Sequence, residues 1–322
     1  MLENIKNVFI AGAGVMGSSM AQLFAKYGFQ VAVYDVSEQA VVKSRELTEV
    51  NLGAAVETGR MSAQEAQTIR SGIEYTQDPQ DFARADYVVE AIIENMEIKK
   101  QFWSQISAIV PPAAILTSNT SGLSLTEMAQ AVQLPERFCG MHWLNPPHIC
   151  PLIEVIRAEK TDEQTLETVR AMAQAIHHFP VTLNREVPGF LINRFQFAIL
   201  REAMSLVEAG VASMEDIDNV FKYGLGLRYA CLGPFEIADL GGLDTFYKIA
   251  SYLFADLSNT GEVHALLSDH YHNNEFGVKS GKGYYDYADG RDKEMIAYRD
   301  KMFLKVSDCL YGDLNGAGEG DH

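Results

Sequence analysis

The sequence predicts an α/β domain built on a mostly parallel sheet, followed by an all-helical domain. In the first half, short β-branched runs alternate with helical stretches, the pattern of a parallel sheet covered on both faces. From Pro188 onward apolar residues recur at helical spacing instead, with no convincing strand before Gly283-Tyr284-Tyr285. Length agrees, because 322 residues is long for one compact domain and suits two.

Taken in order, Val8-Phe9-Ile10 is the first strand, followed by a glycine cluster and an amphipathic helix reaching Tyr27. Residues 30–34 form the second strand. A long helical excursion, 38–71, then carries an exposed turn at Thr58-Gly59-Arg60. Further strands are expected at 87–92, 115–117, 138–143 and 152–156. The boundary falls near Asn184-Arg185-Glu186-Val187, which divides the chain into 1–186 and 187–322. In the second part Phe190, Leu191, Phe195, Ile199 and Leu200 share a helical face, and another amphipathic helix runs from Asp292 to about Leu310. The Gly- and acid-rich stretch 312–322 is expected to fray. No internal repeat is visible.

Composition narrows the function classes. An apolar fraction of 47% and a charged fraction of 21% exclude global disorder. The net charge is −17 and no basic stripe is present, which argues against nucleic acid as a partner. The same charge disfavours anionic membranes, and no apolar run reaches the roughly 18 residues of a membrane span. The opening Met1-Leu2-Glu3-Asn4 lacks the basic patch and apolar core of a signal peptide. Cys139, Cys150, Cys231 and Cys309 are scattered, with neither a CxxC pair nor zinc spacing. A cytoplasmic protein with reduced thiols and no metal is the expectation.

Gly12-Ala13-Gly14-Val15-Met16-Gly17 follows a strand and opens a helix. The first glycine permits the tight turn, the second lets backbone approach a pyrophosphate, and the third lets helix pack on strand. The helix start offers free N–H groups and a positive dipole end to phosphates. Asp35 ends the second strand, where a carboxylate takes the ribose hydroxyls and repels a 2′-phosphate. A Rossmann-type domain binding NAD in preference to NADP follows.

The densest polar segment is Gly140-Met141-His142-Trp143-Leu144-Asn145-Pro146-Pro147. Its histidine ends a strand just before a Pro-rich turn, where open α/β sheets build their sites. Glu154 lies within the next apolar run, and a carboxylate buried there is costly unless paired. A Glu154–His142 pair is the economical solution. It fixes the imidazole tautomer and makes His142 a base toward an alcohol proton.

With those residues in place the chain resembles the L-3-hydroxyacyl-CoA dehydrogenase family over about residues 5–287. The resemblance rests on the glycine run from Gly12, Val88-Val-Glu-Ala-Ile-Ile-Glu-Asn95, Ser118-Asn-Thr-Ser121, His142-Trp-Leu-Asn-Pro146 and Gly189-Phe-Leu-Ile-Asn-Arg194. Gly233-Pro-Phe-Glu236, Gly242-Leu-Asp244 and Lys279-Ser-Gly-Lys-Gly-Tyr-Tyr285 complete it. It implies His142 as catalytic base with Glu154 as its partner, and Ser121 and Asn193 holding the substrate oxygen. It also implies Glu94, Lys99 and Lys279 as cofactor contacts, and a homodimer formed through the helical domain.

Three features depart from the acyl-CoA members. An ungapped count from Asp35 puts Asn51 and Thr58 where the family holds the CoA 3′-phosphate with Ser and Lys. Arg60 is the available substitute, but Glu49 and Glu57 make that surface acidic. Gly224-Leu-Gly-Leu-Arg228-Tyr229 resembles the stretch found in branches acting on free acids, such as gulonate and carnitine dehydrogenases. An arginine there clamps a carboxylate through two parallel hydrogen bonds, although a surface salt bridge is an equal reading. Finally, His142 to His148 with Pro151 and Glu154 resembles the branch acting on a formyl-hydroxy-methylpyridine carboxylate, and Trp143 replaces the usual Phe, suggesting a reshaped pocket. The expected substrate is a small carboxylate-bearing alcohol, ketone or aldehyde. L-3-hydroxyacyl-CoA oxidation and a non-catalytic, lens-protein-like or NAD-sensing relative are the alternatives.

Overall fold

The computed structural model describes residues 2–312, and the fraying expected beyond Gly312 lies outside them. The chain divides into two compact units, one ending at Leu191 and the other starting at Ile192.

The first unit is an eight-stranded sheet in the order β3-β2-β1-β4-β5-β6-β7-β8. Its strands are β1 (Asn7–Ala11), β2 (Gln30–Tyr34), β3 (Ile73–Thr76), β4 (Tyr87–Glu90), β5 (Ile115–Ser118), β6 (Phe138–Trp143), β7 (Leu152–Ile156) and β8 (Phe179–Leu183). Neighbours pair in parallel except β6 with β7, which run antiparallel. Strand order reverses between β1 and β4, so a crevice opens beyond their carboxyl ends, the usual ligand position of such sheets.

Side-chain alternation splits each strand between two cores. Val8 and Ile10 join Val31, Val33 and Val89 on one face, while Phe9, Ala32, Val88 and Leu116 pack on the other. The helices α1 (Val15–Lys26), α2 (Glu38–Glu57), α3 (Ala63–Ser71), α4 (Met96–Ile106), α5 (Leu125–Ala129) and α6 (Glu163–Ala175) link the strands. The excursion expected as one stretch is thus two helices, because Gly59 at φ 69° breaks it and Ser62 starts α3 with a capping box to Glu65.

Two strands escaped the sequence reading. β3 is a four-residue edge strand with one buried residue, and β8 is half-solvated and carries Pro180. The expected 87–92 strand stops at Glu90, where the Ile92 N–H turns back onto the Glu90 carboxylate at 2.9 Å.

The second unit is helical: α7 (Ile192–Glu208), α8 (Met214–Val220), a π-turn (Phe221–Leu225), α9 (Gly226–Tyr229), α10 (Pro234–Gly241), α11 (Leu243–Asp256), α12 (Ala265–His272) and α13 (Arg291–Tyr311). It begins five residues later than the sequence boundary at 187. Phe190, expected on the helix, belongs instead to the first unit's core at 2% exposure. Gly277 to Asp286 forms isolated β-bridges rather than a strand. No helix among the described residues is long and apolar enough to cross a membrane.

Candidate active site

The glycine loop joins β1 to α1. A Cβ at Gly12 would collide with the Ala91 carbonyl, and one at Gly17 with the Gly12 carbonyl, so both positions need glycine for backbone approach. At Gly14 a Cβ would meet nothing within 4 Å, leaving open space in front of the helix. The α1 N-terminus has no side-chain cap, and Val15 and Met16 open its first turn. Its leading N–H groups therefore face that space, as a pyrophosphate requires.

Asp35 sits immediately after β2 and is fixed by two backbone donors. The Ala13 N–H donates to Oδ2 and the Ser37 N–H to Oδ1, both at 2.9 Å. The carboxylate is thereby held against the glycine loop, an arrangement that suits ribose hydroxyls better than a 2′-phosphate.

Beyond the carboxyl ends of β5 and β6 lies a second group. His142 and Glu154 are direct partners in the antiparallel register of β6 and β7. The His142 Nδ1 lies 2.7 Å from Glu154 Oε2, and its Nε2 lies 3.2 Å from the Ser121 hydroxyl. Both residues are buried, at 3% and 1% exposure. Glu154 accepts a further hydrogen bond from the Leu191 N–H at 2.8 Å, which fixes its carboxylate plane. A carboxylate on Nδ1 keeps the proton of the neutral ring there, so the Nε2 lone pair points toward Ser121. The Phe190 ring, 5.4 Å from the imidazole, forms an apolar wall that the sequence reading did not foresee.

The other expected residues are placed less simply. Lys99, read as a cofactor contact, is 1% exposed and pairs with the fully buried Glu90, a residue the sequence reading passed over. The signal was present: Glu90 interrupts an apolar strand as Glu154 does. Glu94 is half-exposed and lies 3.3 Å from the Lys99 ammonium.

Trp143 is a correction. Adjacent strand residues point to opposite faces, so its side chain leaves the His142 face and packs in the other core at 3% exposure. There its ring meets Phe24 at 5.8 Å and His178 at 5.0 Å. It does not line the His142 site.

Asn193, Arg228 and Lys279 belong to the second unit. Asn193 lies half-buried in the first turn of α7, Arg228 lies exposed on α9, and Lys279 lies exposed in the turn before Gly281. Arg228 has no ion-pair partner among the described residues, so the salt-bridge reading of it gains no support. Near the other departure, Glu49 is engaged by Arg70 at 2.7 Å, and Asn51 and Thr58 lie on α2 and at its C-cap. Burial pushes the Cys139 thiol well above its ordinary pKa, which keeps it protonated and unreactive. The described residues contain no cluster of metal-ligating side chains.

Residues 7–187 match the family described as 3-hydroxyacyl-CoA dehydrogenase, NAD binding domain, and residues 189–287 match that family's C-terminal domain. The chain belongs to the 3-hydroxyacyl-CoA dehydrogenase family. It is an NAD-dependent dehydrogenase of the type acting on a hydroxyl group, and its cofactor is NAD. A 5-formyl-3-hydroxy-2-methylpyridine 4-carboxylate 5-dehydrogenase from Mesorhizobium japonicum is 38% identical over 315 residues, covering 96% of this chain and 99% of the relative. A solved structure of that kind of dehydrogenase, an NAD+-dependent dismutase, has a TM-score of 0.87 at 38% identity, covering 96% of this chain and 99% of its own. A probable 3-hydroxybutyryl-CoA dehydrogenase from Bacillus subtilis is 38% identical over 284 residues, covering 88% of this chain and 98% of the relative. The solved (S)-3-hydroxybutyryl-CoA dehydrogenase of Ralstonia eutropha has a TM-score of 0.75 at 31% identity, covering 88% of this chain and 100% of its own.

Proposed function

We propose that this dehydrogenase moves a hydride between NAD and the alcohol or carbonyl carbon of a small carboxylate-bearing substrate. His142 is the general base and acid. The observation that carries the chemistry is the line Glu154–His142–Ser121, with 2.7 and 3.2 Å steps. Bound NAD supplies the hydride acceptor or donor. Glu154 holds the imidazole with Nε2 toward the substrate, where His142 takes the hydroxyl proton in oxidation and returns it in reduction. Ser121 and Asn193 donate to the substrate oxygen, and Gly12, Gly14, Val15, Met16, Gly17 and Asp35 seat the cofactor. Lys279 is a further cofactor contact in this reading.

For the substrate class, the TM-score of 0.87 to the pyridine-carboxylate dehydrogenase, against 0.75 to the 3-hydroxybutyryl-CoA dehydrogenase, supports a free acid. The 3-hydroxybutyryl-CoA relative covers 88% and reaches 98% of its own length. Arg228, exposed on α9, is the carboxylate clamp in this reading. The equal 38% identity of the Bacillus relative keeps the acyl-CoA reaction as the second reading.

A homodimer in the cytoplasm belongs to the same proposal. Phe235, Leu240, Tyr247 and Phe254 on α10 and α11 are each at least 75% exposed, more apolar surface than one helix pair ordinarily leaves to water. Cys231 and Cys309 are exposed thiols, which suits a reducing compartment.

The test is NADH oxidation with acetoacetyl-CoA beside acetoacetate and a panel of keto and aldehyde acids, including a formylpyridine carboxylate. Turnover of free acids alone supports the proposal, and loss of that turnover in Arg228→Ala assigns the clamp. Efficient turnover of the thioester instead establishes the second reading, with Arg60 the phosphate ligand to examine. NADH binding without turnover of anything on the panel would contradict both.

A further inference from the structure

The segment Ser118-Asn119-Thr120-Ser121 leaves β5 and brings the Ser121 hydroxyl to His142. Each of its four residues is held by a group outside the segment. The Ser118 hydroxyl donates to Glu90 Oε2 at 2.6 Å, and Asn119 Oδ1 accepts from the Trp143 N–H at 2.9 Å. One oxygen of Glu94 accepts twice, from the Thr120 hydroxyl at 2.6 Å and from the Ser121 N–H at 3.0 Å. Its other oxygen lies 3.3 Å from the Lys99 ammonium, which is itself locked onto the buried Glu90.

We infer that Glu94 is a positioning residue for the reaction: its carboxylate, anchored through Lys99 to Glu90, fixes the Ser121 hydroxyl against His142. The ammonium lies between two carboxylates, one buried under the sheet end and one reaching the Ser121 segment. Charge-assisted bonds of this kind are shorter and about twice as strong as neutral ones, so the loop inherits the rigidity of the buried pair. Without Glu94, both the Ser121 N–H and the Thr120 hydroxyl lose their acceptor. A hydroxyl that drifts by about 1 Å from a reacting group costs up to about 100-fold in rate. Glu94 is half-exposed, so its removal strands no buried charge, unlike removal of Glu90 or Lys99.

This inference rests on the role proposed for Ser121. The test compares Glu94→Ala, Glu94→Gln, Ser121→Ala and the double variant Glu94→Ala/Ser121→Ala with wild type. Steady-state kcat, KM and NADH affinity by fluorescence are read together with hydrogen exchange of residues 118–123. Glu94→Ala should lower kcat about 10- to 100-fold and speed exchange in that segment. Because the family resemblance also makes Glu94 a cofactor contact, NADH affinity is expected to fall as well, and kcat is read at saturating NADH. Glu94→Gln, which keeps an acceptor oxygen for Thr120 and Ser121 but turns its NH2 to the Lys99 ammonium, should recover only part of the rate. In the Ser121→Ala background the Glu94→Ala loss should shrink below about 2-fold, because the two residues act as one unit. Equal losses in both backgrounds, or a loss confined to NADH affinity, would overturn the inference while leaving the Ser121 role standing. Wild-type turnover by Ser121→Ala would remove that role, and this inference with it.

Discussion

Glu154 and His142 face one another directly across β6 and β7, the antiparallel pair in an otherwise parallel run, with Oε2 2.7 Å from Nδ1. The reversal of β7 matters for chemistry. It sets a buried carboxylate opposite the histidine at the carboxyl end of β6 within a short connection. The same carboxylate accepts the Leu191 N–H, so it is fixed by the backbone on one side and fixes the imidazole on the other.

Glu154→Gln should therefore damage rate more than cofactor binding. The amide keeps the shape but can present its NH2 to Nδ1, which flips the tautomer and occupies Nε2 with the proton. A kcat loss of about 100-fold or more is expected, with NADH affinity unchanged. Glu154→Ala should in addition lower stability by about 1–3 kcal/mol in urea unfolding, since it strips the acceptor from two buried donors.

Asp35→Ala should weaken NAD binding severalfold more than NADP binding, because only the former gains from the carboxylate. The loop would also lose the acceptor of the Ala13 and Ser37 N–H groups. Isothermal titration of both cofactors checks this, and an equal loss for each counts against ribose recognition by Asp35.

Trp143→Phe should leave KM for the substrate within about 2-fold of wild type, since the ring lies in the core away from His142. The indole N–H is buried there without a hydrogen-bond partner, so its removal offsets part of the lost packing. Stability should change by no more than about 1–2 kcal/mol. A large shift in substrate preference would return Trp143 to the pocket.

Burial lowers the His178 pKa, although the Ile176 and Pro147 carbonyls, 2.9 and 3.0 Å from its ring nitrogens, pull the other way. The folded state thus binds fewer protons at this ring than the unfolded chain, whose value is about 6.5. The stability this group contributes is complete above that pH and is lost as pH falls toward the folded value. His178→Gln should flatten the fall in unfolding free energy as pH drops below about 6.5; an unchanged slope would assign it to other groups.

The parts legible in the sequence are those where spacing and chemistry act together. Gly12 to Gly17 with Asp35 specify the cofactor loop because each residue type has one steric or electrostatic task. Glu154 was legible because a carboxylate in an apolar strand needs a partner. Glu90 carried the same signal, but its partner Lys99 sits nine residues away on α4 and reads as a solvated helix charge. Trp143 adjoins His142 in sequence, but strand alternation turns its side chain to the opposite face of β6. β3 and β8 were missed because edge strands bury too few side chains to show a period. Phe190 takes φ 52°, a backbone turn that apolar spacing alone does not reveal, and so it looked like the first residue of a helix.

The most direct measurement is turnover by His142→Gln beside its NADH affinity, on whichever substrate the wild-type panel identifies. His142 as general base predicts a kcat loss of about 100- to 10,000-fold with NADH bound as tightly as in wild type. Wild-type-like turnover with NADH still bound would contradict it.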